Sequence, residues 1–273
     1  MTMAPLSHVY VATKVANRST PLLILGSVLP DIAWVSSTSL GKDEIHNNPD
    51  RFSEFIQNNY PGLSDLSLGV KLHSPIHKGA DFYSDDPKTG FAKVKGKMIQ
   101  DRVARLFRLE TEGINVPLRF GMKINTNSSF GRLLHANDKV SLMFAHNFIE
   151  AAVDLHLAKS QPKVVDLYKK ALKTVDLVPI IDALSSYLTR DKEEIDKELT
   201  FFLDFVSPDH ISSPETTVEN FIIPYIKNRL GKELDPKETY SILLSAMDLT
   251  KKDYLELLDE AIEKMKLDFA GQP

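Results

Sequence analysis

The stretch Leu142-Met143-Phe144-Ala145-His146-Asn147-Phe148-Ile149-Glu150-Ala151-Ala152-Val153-Asp154 decides the class of fold. Its apolar residues recur at helical rather than alternating spacing and predict a helix from Lys139 to Leu157. A polar stripe in so apolar a run faces inward, and a carboxylate buried there without a partner is costly, so Glu150 calls for a cation or hydrogen bonds. His146 and Glu150 stand four apart, one turn above each other and offset by about 40° around the axis. An imidazole and a carboxylate therefore share one face, and Asp154 extends that stripe by another turn.

Working outward, the same period predicts helices at Leu6 to Ala16, Pro21 to Val35, Asp50 to Asn58, Leu66 to Ser84 and Phe91 to Phe107. After Ser160-Gln161-Pro162 it predicts six more: Val164 to Lys173, Pro179 to Leu188, Lys192 to Val206, Thr216 to Leu230, Pro236 to Met247 and Lys251 to Leu267, with Thr250 as N-cap of the last. No series of period-two strands rich in Val, Ile and Thr is present, so the fold class is all-α. The expected architecture is a multi-helix bundle in two parts: residues 1–157 as a core with a metal site between its helices, and residues 158–273 as a helical extension without ligands. Thr111 to Arg132, rich in Gly, Asn and Ser, breaks the helical pattern and reads as a surface connection or as a loop or small hairpin beside the site.

The 273 residues are 42% hydrophobic, enough to bury a sizeable core. A net charge of -4 lacks the basic footprint of a duplex nucleic-acid binder. The absence of cysteine excludes thiolate ligands and leaves His, Asp and Glu for any metal. Leu22 to Leu29 is too short to span a bilayer and the N-terminus has no basic region before a long apolar run, so the chain reads as soluble and cytoplasmic, without a transmembrane segment.

A second pair repeats the spacing of the first. His77 and Asp81 also stand four apart and would offer two ligands from one face of the predicted Leu66 to Ser84 helix. His73 precedes Ser74-Pro75, which resembles an N-cap followed by proline at the first helical position; His73 then sits either just outside a new helix or in one that Pro75 kinks. His8 lies in the first apolar helix. Asp31, in Gly26-Ser27-Val28-Leu29-Pro30-Asp31, puts one charge into an otherwise apolar run. Packed helices build metal sites from such stripes, with anionic oxygens offsetting the cation and open positions left for water and substrate.

His8, Gly26-x-x-x-Pro30-Asp31, His77-x-x-x-Asp81 and His146-x-x-x-Glu150, in that order, resemble the zinc-dependent phospholipase C family, similar in fold to the zinc-dependent single-strand-specific nucleases. The resemblance covers roughly Pro5 to Leu157. It implies an all-α hydrolase in which one to three Zn²⁺ ions are held by His8, Asp31, His77, Asp81, His146 and Glu150, with His73 a further candidate. It also implies cleavage of a small phosphoester or phospholipid substrate. Asp31 is expected nearest the nucleophilic water, as bridge or base, and Lys71 and Lys78 are expected near the substrate phosphate. A second resemblance, in Leu25 to Asp31, Gly69 to His73 and Asp81 to Asp85, is to the acyl-carrier-protein phosphodiesterases, relatives of the HD-domain hydrolases. The alternative of another class is a non-catalytic helical binding protein with a degenerate metal site.

Overall fold

A computed structural model describes residues 5–36, 39–86, 88, 90–111, 139–231 and 233–270. It is all-α, and no strand occurs among the described residues. Prolines place many of the helix starts. Helices α1 (Pro5–Ala16), α2 (Pro21–Val28), α4 (Pro49–Asn59), α9 (Pro162–Thr174), α12 (Pro214–Thr217) and α14 (Pro236–Thr250) all open on proline, whose missing N–H costs nothing in the first turn. Side-chain caps reinforce several of them: Thr20 Oγ1 accepts from the Leu23 amide at 3.3 Å, and Asp235 Oδ1 from the Glu238 amide at 2.8 Å.

Between these run a 3₁₀ turn (Leu29–Asp31), α3 (Ile32–Val35), a π-helical turn (Lys42–His46), α5 (Ser64–His73), a 3₁₀ turn (Pro75–His77), α6 (Ala80–Asp85), α7 (Phe91–Thr111) and α8 (Lys139–Ser160). The later helices are α10 (Val178–Leu188), α11 (Lys192–Phe205), α13 (Ile223–Leu230), preceded by a π-helical turn at Val218–Ile222, and α15 (Tyr254–Ala270). The predicted segment Thr111 to Arg132 lies outside the described residues beyond Thr111.

Every residue of α8 from 144 to 155 is buried. An apolar helix with no exposed face is a central one, and α8 packs on α7, α14 and α1. The approach of α7 to α8 depends on Gly96, where an added Cβ would stand 2.9 Å from the His146 backbone nitrogen. The tightest crossing is α2 on α5. A Cβ at Gly26 would stand 2.1 Å from the Leu66 carbonyl oxygen, and one at Gly69 would stand 2.4 Å from that of Leu23, so glycine on both helices lets the backbones touch.

One buried apolar cluster runs from Leu6 to Met265, with helices from both ends of the chain contributing. No helix of the described residues is long and apolar enough to cross a membrane.

Two local expectations are corrected. The predicted helix from Leu66 to Ser84 is two helices and a 3₁₀ turn: Ser74 caps the turn by accepting from the Ile76 amide, and Lys78 takes a left-handed conformation (φ 53°) that no α-helix accommodates. Thr250 does not cap the last helix; it ends α14, its hydroxyl donating back to the Ala246 carbonyl at 2.9 Å.

Candidate metal centre

Five segments bring polar side chains to one buried point: α1 supplies His8, the Leu29–Asp31 turn Asp31, the π-helical turn His46, α5 His73 and α6 Asp81. All five are buried, none more than 6% exposed. His8, His73 and Asp81 each offer an atom within 4.8 Å of the others, and together they could hold a metal ion.

Asp81 is the hub. Its Oδ1 lies 3.4 Å from His8 Nε2, and its Oδ2 lies 3.3 Å from His73 Nε2 and 3.2 Å from His46 Nε2. Asp31 stands one step back, 3.9 Å from His8 and 3.8 Å from His73.

Three neighbours orient the imidazoles. The α2/α5 glycine contact brings the Ser27 carbonyl to His73, whose Nδ1 donates to it at 2.9 Å and so turns Nε2 towards Asp81. The His8 ring stacks on that of His73, with centroids 4.3 Å apart. Trp34 presents its ring edge-on to His46 at 5.4 Å.

The electrostatics follow. Burial alone would lower the pKa of His73, but Asp81 and Asp31 outweigh it and raise the imidazole to about 9. Burial likewise acts against the Asp81 carboxylate, yet His73, His46 and His8 hold it well below the usual carboxylate range. A low-dielectric site that keeps an anion ionised among imidazoles must contain a positive charge, either a proton on His73 or a cation in its place.

Two of the hub atoms, His73 Nε2 and Asp81 Oδ1, are buried without a hydrogen-bond partner, a condition that a cation between them would relieve.

The second stripe forms its own group. His146 Nε2 lies 3.4 Å from Glu150 Oε2, and Ser84 donates to Glu150 Oε1 at 2.6 Å. A cavity of about 20 Å³, lined by His8, Ser7, Ser84 and Glu150 and closed by Leu258 and Ala261 of α15, lies between this group and His8. That is room for about one water molecule.

Asp154 is not a further donor to this group. Its carboxylate accepts from the Leu6 and Ser7 amides at 2.9 and 2.8 Å and from the Ser7 hydroxyl at 2.5 Å. It therefore caps α1 from another helix, satisfying amides left bare at a start that Pro5 cannot cap. Burial drives its carboxyl up to about 7 against the pull of these donors.

His77 is not brought to the hub in this way. The left-handed Lys78 separates it from Asp81, and its Nε2 lies 2.9 Å from the exposed Asp50. Lys71 and Lys78 are likewise turned to surface partners, Asp50 at 3.4 Å and Asp268 at 3.1 Å. Conversely, the sequence reading passed over His46. Its turn opens on Gly41 at φ 71° and is five residues long, too short for any periodic signal. No family model, curated protein or solved structure matches the chain.

Proposed function

We propose that this protein is a metal-dependent phosphoester hydrolase, resembling the zinc-dependent phospholipases C, with its primary ion held by His8, His73 and Asp81 and flanked by His46 and Asp31. The observation that carries this reading is the buried group of His8, His73 and Asp81, whose candidate ligand atoms lie within 4.8 Å of one another, with His73 Nε2 and Asp81 Oδ1 left without a hydrogen-bond partner. Zinc suits a site of imidazole and carboxylate donors without thiolates. When bound, such an ion acidifies water and polarises a phosphoryl oxygen.

The chain's own groups supply the rest. Asp31, near both His8 and His73 but a step from the hub, takes the proton released by attacking water. The Ser27 carbonyl holds His73 in the tautomer that presents Nε2. Ser84, His146 and Glu150, across the small cavity from His8, hold a second ion or position the water there. The substrate is a small phosphoester or a phospholipid.

The burial of every hub residue favours a second reading, a structural ion in a non-catalytic helical protein, since structural sites are closed and catalytic ones keep an open position. Elemental analysis of purified protein, paired with hydrolysis of bis(4-nitrophenyl) phosphate with and without chelator, separates the two. The hydrolase reading expects stoichiometric zinc and chelator-sensitive turnover. Tightly held metal without turnover selects the structural reading, and protein that takes up no divalent metal defeats both.

A further inference from the structure

Away from the hub, α3, α11 and α13 enclose an open cleft of about 500 Å³. Small-molecule sites run from roughly 300 to 1,000 Å³, and a space of this size is too small to seat a docked helix. Its walls carry four aromatic rings: Trp34, Phe201, Phe205 and Tyr225. Phe205 and Tyr225 are buried and form its floor, while Phe201, one helical turn before Phe205, remains 45% exposed. The Phe201 and Phe205 rings are inclined by 27° with centroids 6.5 Å apart, and Phe205 stacks on Phe221 at 5.0 Å, so Phe201 is the ring that the cleft offers to a ligand.

The charged lining is one lysine and one glutamate, Lys197 and Glu198. Lys197 and Asn228 make no ion pair or side-chain hydrogen bond among the described residues, whereas Glu198 is already engaged by a neighbour. A second ammonium, Lys42 Nζ, stands 5.3 Å over the Trp34 ring. An exposed aromatic ring beside an indole selects an aromatic ligand, and an uncommitted cation at the rim selects an anion.

We propose that this cleft binds a planar aromatic anion, its ring packed among Trp34, Phe201 and Phe205 and its negative group at Lys197. Trp34 ties the cleft to the candidate metal centre, because the indole that forms its wall also meets the His46 ring, and His46 meets Asp81. A ligand that shifts Trp34 shifts an imidazole of the hub. The anion is either one ester group of the substrate or a separate effector.

Trp34 is the only tryptophan and reports occupancy directly. Metal-stripped protein titrated with 2-naphthoate is expected to show a saturable change in Trp34 emission, with cyclohexanecarboxylate, equally charged but not planar, binding far more weakly. Phe201→Ala should weaken 2-naphthoate roughly 3- to 10-fold. Lys197→Met should weaken 2-naphthoate but not the uncharged 2-naphthylmethanol. Both positions are solvent-facing on α11, and unchanged far-ultraviolet circular dichroism checks the fold of each variant. No saturable response, equal binding of the planar and non-planar acids, or wild-type affinity in Phe201→Ala would overturn the proposal.

The metal-loaded protein then distinguishes the two sources of ligand. Competitive inhibition of bis(4-nitrophenyl) phosphate hydrolysis by 2-naphthoate places the ring in the substrate, and a non-competitive change makes it an effector. Because binding is read without metal, failure of the hydrolase reading and failure of this site are separate results.

Discussion

Asp81 and His73 form a buried pair whose charge balance can be tested one residue at a time. His73→Ala removes a nitrogen 3.3 Å from Asp81 and the partner of the Ser27 carbonyl, whereas His77→Ala removes only a contact with exposed Asp50. Zinc affinity measured by competition with a chromogenic chelator should fall at least ~100-fold in the first variant and stay within about 2-fold in the second. Equal losses would return His77 to the hub. The pH dependence has a definite sign. His73 is raised from 6.5 to about 9 in the folded chain, so its contribution to the stability of metal-free protein is fully present below pH 6.5 and is lost as pH rises through 9. A cation competes with the same proton, so metal affinity should move the opposite way and strengthen over that window. Thermal melts of metal-free protein and metal titrations at pH 6, 7.5 and 9 would check both trends; parallel trends would mean that His73 is neutral in the empty site. Asp154→Asn turns an amide NH₂ towards the Leu6 or Ser7 N–H and should cost about 1 to 3 kcal/mol in a denaturant melt.

Among the elements, the α2/α5 crossing joins fold to site, since the backbone contact that packs the helices also delivers the Ser27 carbonyl to His73. Gly69→Ala places a methyl group 2.4 Å from the Leu23 carbonyl oxygen and 2.6 Å from the Ser27 amide, so the helices must separate. It should destabilise by about 1 to 3 kcal/mol, as overpacking does, and weaken zinc binding in the same variant. Gly62, with nothing within 4 Å of its Cβ position, is the control, and Gly62→Ala should change neither. A Gly69→Ala protein with full zinc affinity would show that the carbonyl is dispensable. The α6 segment is placed differently. The left-handed Lys78 and the contacts of Lys78 and Tyr83 with Asp268, at 3.1 and 3.0 Å, set where Asp81 enters.

For the whole molecule, the hub ties together α1, the Leu29–Asp31 and Lys42–His46 turns, α5 and α6. Ion binding to the folded chain alone stabilises by RT ln(1 + [L]/Kd), about 2.7 kcal/mol at a hundredfold excess over Kd. Chelation should therefore lower the melting temperature and raise amide hydrogen exchange in α1, α5 and α6, while α14, which packs on α7 and α8, keeps its protection. Uniform loss of protection would mean that the ion supports global rather than local stability.

The sequence by itself determined the helical class and most helix positions, because apolar spacing and proline starts are local signals: Lys139 to Leu157 was legible and extends only to Ser160 in the structure. It also identified Asp31 from a charge in an apolar run, Asp81 from its spacing to His77, and His8 and His73 as candidates from their place in the motif order. Which of them meet was decided only by tertiary structure. Equal four-residue spacing describes His77/Asp81 and His146/Glu150, yet the left-handed Lys78 separates the first pair and an unbroken helix keeps the second together. Asp154 looked like one more inward carboxylate until α1 arrived to be capped by it. His46 lay in a turn without a period and joined the hub through Asp81 and Trp34, contacts between residues distant in sequence. Spacing along a chain sets the direction of a side chain about its own helix axis; the approach of helix to helix, here through Gly26 and Gly69, sets what that side chain reaches.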